Sequence, residues 1–208
     1  MAVILVIQWY RSANARRNQE LDLCITANQS NQAIDEIVWI VPEEHRTQVP
    51  PLKGTMKFVP KRIHFGDAFD VGQDGDLVII ANTDMIITEE AIAQMDSHLK
   101  PGQVFALTRW NCDGSAPLDF QRAVFMNNSQ SQDVWAWRAP MNLPQGSEIP
   151  LGYWGCDNRI AHEFSRSYKI SNPSRTIRTY HVHASNFRTA TPDMRIPRPY
   201  LLLPPTTL

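Results

Sequence analysis

No apolar run in this 208-residue chain approaches the roughly 20 residues that a membrane-spanning helix requires. Cysteine is scarce. Cys24, Cys112 and Cys156 are odd in number, widely spaced and without a CxxC pair, which points to a reduced, cytoplasmic compartment. Lysine and arginine form no run and the formal net charge is −1, so the electrostatic footprint of nucleic-acid binding is missing. The apolar N-terminus MAVILVI has no basic flank and no small-residue cleavage site. It reads as a first buried strand, not as a signal peptide. There is no internal repeat.

What the chain does have is an ample apolar fraction, 43%, enough for one good-sized globular domain over residues 1–190. Strand-like and helix-like patterns alternate through the first half. The run AVILVI is followed by a helical stretch from about Ala13 to Ser30, with Leu21, Cys24, Ile25 and Asn28 on one face. Next come EIVWIV (36–41), MKFVP (56–60), DLVII (76–80), a helix over 89–99 and QVFALT (103–108). Continuous apolar strands alternating with helices predict an α/β sheet covered on both faces. Ligands of such sheets collect at the carboxyl ends of the strands. After Thr191 the composition turns to TPDMRIPRPYLLLPPTTL. This Pro-rich tail, 191–208, cannot be a regular element; it is either a strap over the domain or a linker to a further domain.

Asp84 raises the central question. It follows the strand 76–80 in the stretch DLVIIANTDMIIT, between two hydrophobic runs. The helix that follows already has Thr88 as a cap and Glu89 and Glu90 to suit its dipole, which leaves Asp84 free for other work. In SQDVWAW, strand alternation puts Asp133, Trp135 and Trp137 on one face. A carboxylate beside indole rings is a way to hold a sugar; the alternative is a core strand with a solvated Asp. His181 and His183 share a face if YHVH is extended, so both can reach one divalent ion, or one binds while the other orients it. A structural pair is the other reading. Asp157, after Gly155 and before the amphipathic stretch 158–167, is a helix N-cap, a functional carboxylate, or both. Arg109 and Trp110 follow a strand end and suit a phosphate or sugar, or an ordinary surface stack. Cys112 has no evident activating base.

Taken in order, these segments resemble the GT-A class of nucleotide-sugar glycosyltransferases, in particular the short single-domain forms of bacteria and large DNA viruses. The resemblance runs from about Val3 to Arg188: a first strand and helix, a strand ending in a DxD-type triplet (Asn82-Thr83-Asp84), SQDVW, GCDNR and HVH. The triplet departs from the usual pattern in having Asn82 for the first Asp, which leaves one metal-directed carboxylate. The resemblance implies a mixed, mainly parallel sheet flanked by helices. It implies transfer of a hexosyl or deoxyhexosyl group from a nucleoside-diphosphate sugar, expected to be a UDP-sugar, to a hydroxyl of a glycan or other acceptor. It also implies Mn2+ or Mg2+ held by Asp84 and His183, with Asn82 facing ribose or donor-sugar hydroxyls beside Thr83. Gln8, Tyr10, Arg16, Phe65 and Asp67 would hold base and ribose. Asp157 would be the general base of an inverting enzyme; in a retaining one, Asp157 and Asp133 would only position sugars.

Two other classes compete. A nucleotidyltransferase of similar fold normally carries a Gly- and Lys/Arg-rich loop after the first strand to cradle a triphosphate. Here that loop, QWYRSANARR, has arginines but no glycine. A non-catalytic sugar- or nucleotide-binding domain is the third reading, with Asn82 as its best argument.

Overall fold

The computed structural model describes residues 1–114, 117–182 and 194–208. Its elements in chain order are β1 (Val3–Gln8), α1 (Ala15–Ser30), β2 (Glu36–Pro42), β3 (Thr55–Val59), β4 (Leu77–Ala81), β5 (Met85–Ile86), α2 (Glu89–His98), β6 (Gln103–Leu107) and β7 (Trp110–Cys112). They continue with β8 (Val124–Phe125), β9 (Val134–Arg138), α3 (Cys156–Ser165), β10 (Lys169–Ser171) and β11 (Tyr180–Val182). Seven strands form the main sheet in the order β10-β6-β9-β4-β1-β2-β3. Every pairing is parallel except those of β9, which runs antiparallel between β4 and β6. This is the mixed, mainly parallel α/β sheet that the alternating pattern predicts. A smaller sheet, β5-β11-β7-β8, stands beside it.

The apolar runs are continuous because both faces of the sheet are buried. On one face, Ile4 and Val6 of β1, Val78 and Ile80 of β4, and Trp135 and Trp137 of β9 pack under Ile160, Ala161 and Phe164 of α3. On the other, Leu5, Ile7, Leu77, Ile79 and Ala136 meet Ala91, Ile92 and Met95 of α2. Alternate residues of each strand thus feed two separate cores.

Local chemistry sets the helix ends. Helix α1 starts at Ala15, not Ala13, because Asn14 takes the N-cap and its side chain accepts the Arg17 N–H at 3.1 Å. Thr88 caps α2, accepting the Ala91 N–H at 3.2 Å, so Asp84 is indeed not needed there. Helix α3 begins earlier than the expected 158. Its N-cap is Gly155, whose φ of 80° places it in the left-handed region, and no side chain caps it. The N-cap reading of Asp157 is therefore corrected: Asp157 lies in the first turn.

The described part of the Pro-rich tail, 194–208, runs irregularly along the domain. Backbone N–H groups of Ile196, Leu201, Leu203 and Thr206 donate to the carbonyls of Trp154, Asn158, Ser129 and Asn172 at 2.7–3.0 Å. No helix among the described residues is long and apolar enough to cross a membrane.

Candidate active site

The carboxyl ends of β1 and β4 open into a cleft of about 730 Å3 whose walls include Gln8, Tyr10, Arg17, Asn82, Asp84 and Arg109. Strand β4 ends at Ala81, and the next three residues turn before the short β5 pairs with β11. That turn is held from several sides. The Thr83 hydroxyl donates to the Gln8 carbonyl at 2.7 Å, tying it to the end of β1. The Asn28 amide of α1 donates to the Met85 carbonyl at 2.9 Å and accepts the Ile87 N–H at 3.0 Å. The Val182 N–H of β11 donates to the Asp84 carbonyl at 3.1 Å. The Asp84 carboxylate is thereby fixed at the floor of the cleft, only 7% exposed.

Two groups meet one oxygen of that carboxylate. The Arg17 guanidinium donates to Oδ2 at 2.6 Å, and His181 Nε2 lies 2.9 Å from the same atom. Arg17 also donates to Glu20 at 2.9 Å. Burial alone would push the Asp84 carboxyl upward, but the His181 ring and Arg17 outweigh it and hold the group well below the usual carboxylate range. Asp84 is thus a charged carboxylate throughout the neutral range.

A second carboxylate, Asp133, stands at the entry to β9. Arg109 donates to its two oxygens at 3.0 and 3.2 Å, and the Asn82 amide donates to Oδ1 at 2.9 Å. The third, Asp157, is partly buried in the first turn of α3. Burial and the neighbouring negative charge of Asp133 push its pKa up to about 8, against hydrogen bonds from Cys156 and the Gln132 backbone N–H that favour the charged form. The dipole at the helix start is too small to reverse this. One cleft therefore contains Asp84, held ionised, Asp133 in the grip of Arg109 and Asn82, and Asp157, which binds a proton at neutral pH.

Of the residues singled out in the sequence, Gln8, Tyr10, Asn82, Thr83, Asp84, Arg109, Asp133 and Asp157 line this cleft. Arg16 does not; it is exposed on α1, and Arg17, one helical step on, takes the place in the cleft. Phe65 is fully buried, and the Asp67 carboxylate accepts the His64 N–H at 2.8 Å in a local turn, so neither reaches the cleft. Trp135 is core. It is 2% exposed, stacked on Phe164 at 5.6 Å and edge-on to Phe65 at 5.7 Å, which leaves no ring face for a sugar. His183 lies outside the described residues. His181, which the sequence offered with His183 as a metal ligand or orienting histidine, lines the cleft too, as do Arg17, Arg62, Trp154, Arg195 and Arg198, which were not singled out for it.

No protein-family model matches the chain, and no curated protein sequence does. Solved structures do match. A mannosyltransferase from Pyrobaculum calidifontis, solved in complex with GDP-Man and Mn2+, superposes with a TM-score of 0.54 at 12% identity, over 90% of this chain and 58% of that one. The fold is shared with that enzyme. Lower-scoring matches are a nucleotidyl transferase from Methanothermobacter thermautotroptrophicus (TM-score 0.45, 11% identity, 82% and 85% covered) and a 4-diphosphocytidyl-2C-methyl-D-erythritol synthase from Anaerococcus prevotii (0.48, 12%, 92% and 94%). At these identities the likeness concerns the fold alone.

Proposed function

We propose that this chain is a glycosyltransferase, moving a hexosyl or deoxyhexosyl group from a nucleoside-diphosphate sugar, expected to be a UDP-sugar, to a hydroxyl of a glycan or other acceptor. The observation that carries the reading is the convergence of Asp84, Asp133 and Asp157 with Arg17 and Arg109 in one cleft at the carboxyl ends of parallel strands. Gln8, Tyr10 and Thr83 border the donor half, at the end of β1. Arg17, on the first turn of α1, is within reach of a diphosphate there and neutralises its charge. The acceptor oxygen attacks the anomeric carbon and the bond to the diphosphate breaks. The bonding pair leaves with the nucleoside diphosphate, and Asp157, once ionised, takes the hydroxyl proton. Asp133, clamped by Arg109 and Asn82, positions sugar hydroxyls.

A divalent cation, Mn2+ or Mg2+, would supply Lewis-acid stabilisation of the diphosphate leaving group. Asp84 suits it as a ligand because it is ionised at neutral pH, and His183 is the second ligand implied by the resemblance. His181 then acts as the histidine that orients Asp84. Among the described residues no group of three His, Cys, Asp or Glu converges to hold an ion. Diphosphate oxygens and water would have to complete the shell.

The test is thermal unfolding of the protein with a panel of nucleoside-diphosphate sugars and nucleoside triphosphates, with and without Mn2+. A ligand that binds only the native state raises the midpoint. The expected outcome is a shift with one diphosphate sugar and slow release of the free diphosphate in its presence. Stabilisation by triphosphates alone, with release of pyrophosphate, would replace this reading by nucleotidyl transfer.

A further inference from the structure

Three arginines, Arg62, Arg195 and Arg198, gather around the loop 152–155 that leads into α3. Gly152 and Gly155 have φ of 74° and 80°, and the space a side chain would need at each is already filled. At Gly152 it is filled by the Arg62 guanidinium, which lies 5.1 Å from the Tyr153 ring. At Gly155 it is filled by the Tyr200 hydroxyl, whose ring lies 5.7 Å from the Arg198 guanidinium carbon. Between them, Trp154 forms a backbone bridge with Arg195. Arg17 and Arg109 in the same cleft are each paired with an aspartate, at 2.6 and 3.0 Å, whereas Arg62, Arg195 and Arg198 have no carboxylate partner among the described residues. In a protein of net charge −1, three arginines without a carboxylate partner among the described residues thus line one wall.

Beside them is apolar surface of a particular kind. Trp154 is 37% exposed, one of few large apolar side chains to be so, and Tyr153 and Tyr200 flank it on the cleft wall. An exposed indole covers the C–H face of a sugar ring, and a guanidinium fork grips a phosphate or carboxylate with two parallel hydrogen bonds. Asn158, 7% exposed and also on the wall, has a side-chain oxygen that accepts no hydrogen bond among the described residues. A buried acceptor left empty is costly, and a sugar hydroxyl is a donor that would fill it.

We propose that this wall is the acceptor subsite and that it selects an anionic saccharide, a sugar bearing a phosphate or a carboxylate. The proposal rests on the transferase reading of the same cleft and adds the class of acceptor. Asp157 lies two residues beyond Gly155, so an acceptor held by the loop presents its hydroxyl on the side of the proton-binding carboxylate. The tail residues Arg195 and Arg198 make the subsite incomplete without residues 194–208.

Calorimetric titration of the full chain with glucose 6-phosphate, glucuronate, methyl glucoside and inorganic phosphate tests this, with UDP and GDP titrated separately. One of the two anionic sugars should bind, weakening as salt is added, and methyl glucoside should not. The sugar that binds tells phosphate from carboxylate. Arg62→Gln combined with Arg198→Gln should lower that affinity by about ten- to hundredfold, as expected for lost charge-assisted hydrogen bonds, and leave nucleoside-diphosphate affinity unchanged. Arg195→Gln, at an exposed position, serves if the double variant does not fold. Trp154→Ala should weaken the anionic sugar and leave inorganic phosphate unaffected. Equal binding of neutral and anionic sugars, or loss of nucleoside-diphosphate affinity in the arginine variants, would overturn the subsite. If the wild type binds an anionic sugar but no nucleoside diphosphate, the transferase reading fails and the anionic subsite stands.

Discussion

Replacing Asp157 by asparagine removes a proton-binding site that the fold keeps occupied at neutral pH. The carboxyl has an ordinary pKa of 3.8 and is pushed up to about 8 in the folded chain, first by burial and then by the charge of Asp133. Between those values the native state holds a proton that the unfolded chain has released. The stability it contributes is complete below 3.8 and is lost as pH rises toward the folded value. One such proton changes stability by about 1.4 kcal/mol per pH unit, so the wild type should lose up to about 2.7 kcal/mol between pH 5 and pH 7 from this group. That is a large part of the roughly 5–15 kcal/mol that holds a domain of this kind together. Asparagine resembles the protonated acid in shape and charge. The two proteins should therefore be alike below about pH 3.8 and diverge above it, with the variant increasingly the more stable from pH 5 to pH 8.

Urea unfolding at half-unit steps from pH 5 to pH 8 measures the difference directly, and the variant subtracts the histidines common to both. The Asp84 carboxyl does not interfere, because its depressed pKa puts its contribution at risk only at acid pH. Transfer activity gives the second reading. A base of pKa about 8 is ionised in roughly one molecule in ten at pH 7, so kcat/KM should climb nearly tenfold per unit toward pH 8 and then level off. The variant should bind nucleotide normally and fail to transfer. Parallel stability curves for the two proteins across the whole range would refute the argument, since they would show Asp157 to be ionised throughout.

Three further outcomes follow from the same geometry. Arg17→Met should cost about 3 kcal/mol by breaking a partly buried ion pair, and yet raise the affinity for Mn2+ in a calorimetric titration, because guanidinium and cation compete for Asp84 Oδ2. Unchanged Mn2+ affinity would separate Asp84 from any metal role. Asp84→Asn should abolish transfer and flatten the stability loss that the wild type shows below about pH 4, read by urea unfolding and a donor-hydrolysis assay. Phe164→Ala, at the fully buried junction of Phe69, Trp135, Trp137 and Tyr168, should cost about 3–5 kcal/mol by cavity formation, read as a fall in the urea midpoint with an unchanged slope.

Much of the main sheet was legible because its strands are buried on both faces and so appear as unbroken apolar runs. That same property hid the fate of β9. Period-two alternation shows that Trp135 and Trp137 share a face, but with both faces covered it cannot show that theirs is the core beneath α3. The phase of α1 extends to its first turn. Leu21, Cys24, Ile25 and Asn28 mark the buried stripe of α1, and Arg17 continues it at four residues before Leu21 and seven before Cys24. Arg16, one step of about 100° away, falls outside the stripe and is exposed. Arg62, Arg195 and Arg198 had no such signal. They come from two distant parts of the chain, one before β4 and one in the C-terminal tail, and meet only around the glycine turns of 152–155.

Asp133 and Asp157 show why residue type alone does not assign a role. Asp133 has a guanidinium and an amide on its oxygens, while Asp157 has a thiol and one backbone N–H as hydrogen-bond donors and meets the negative charge of Asp133. Removing the charge in Asp133→Asn should lower the Asp157 pKa, because the second-largest cause of its rise disappears and Arg109, no longer engaged, becomes an attractive partner. The shift should be incomplete, since burial, the larger cause, remains. The pH at which kcat/KM levels off should therefore move down from about 8 but stay above the ordinary carboxylate range. Sugar recognition should weaken in the same variant while nucleoside diphosphate binds as before, because Asp133 is proposed to hold sugar hydroxyls and not phosphate. A pH profile that keeps its midpoint would mean that burial alone sets the Asp157 proton. The two carboxylates would then be independent, and the division of labour between them would have to be abandoned.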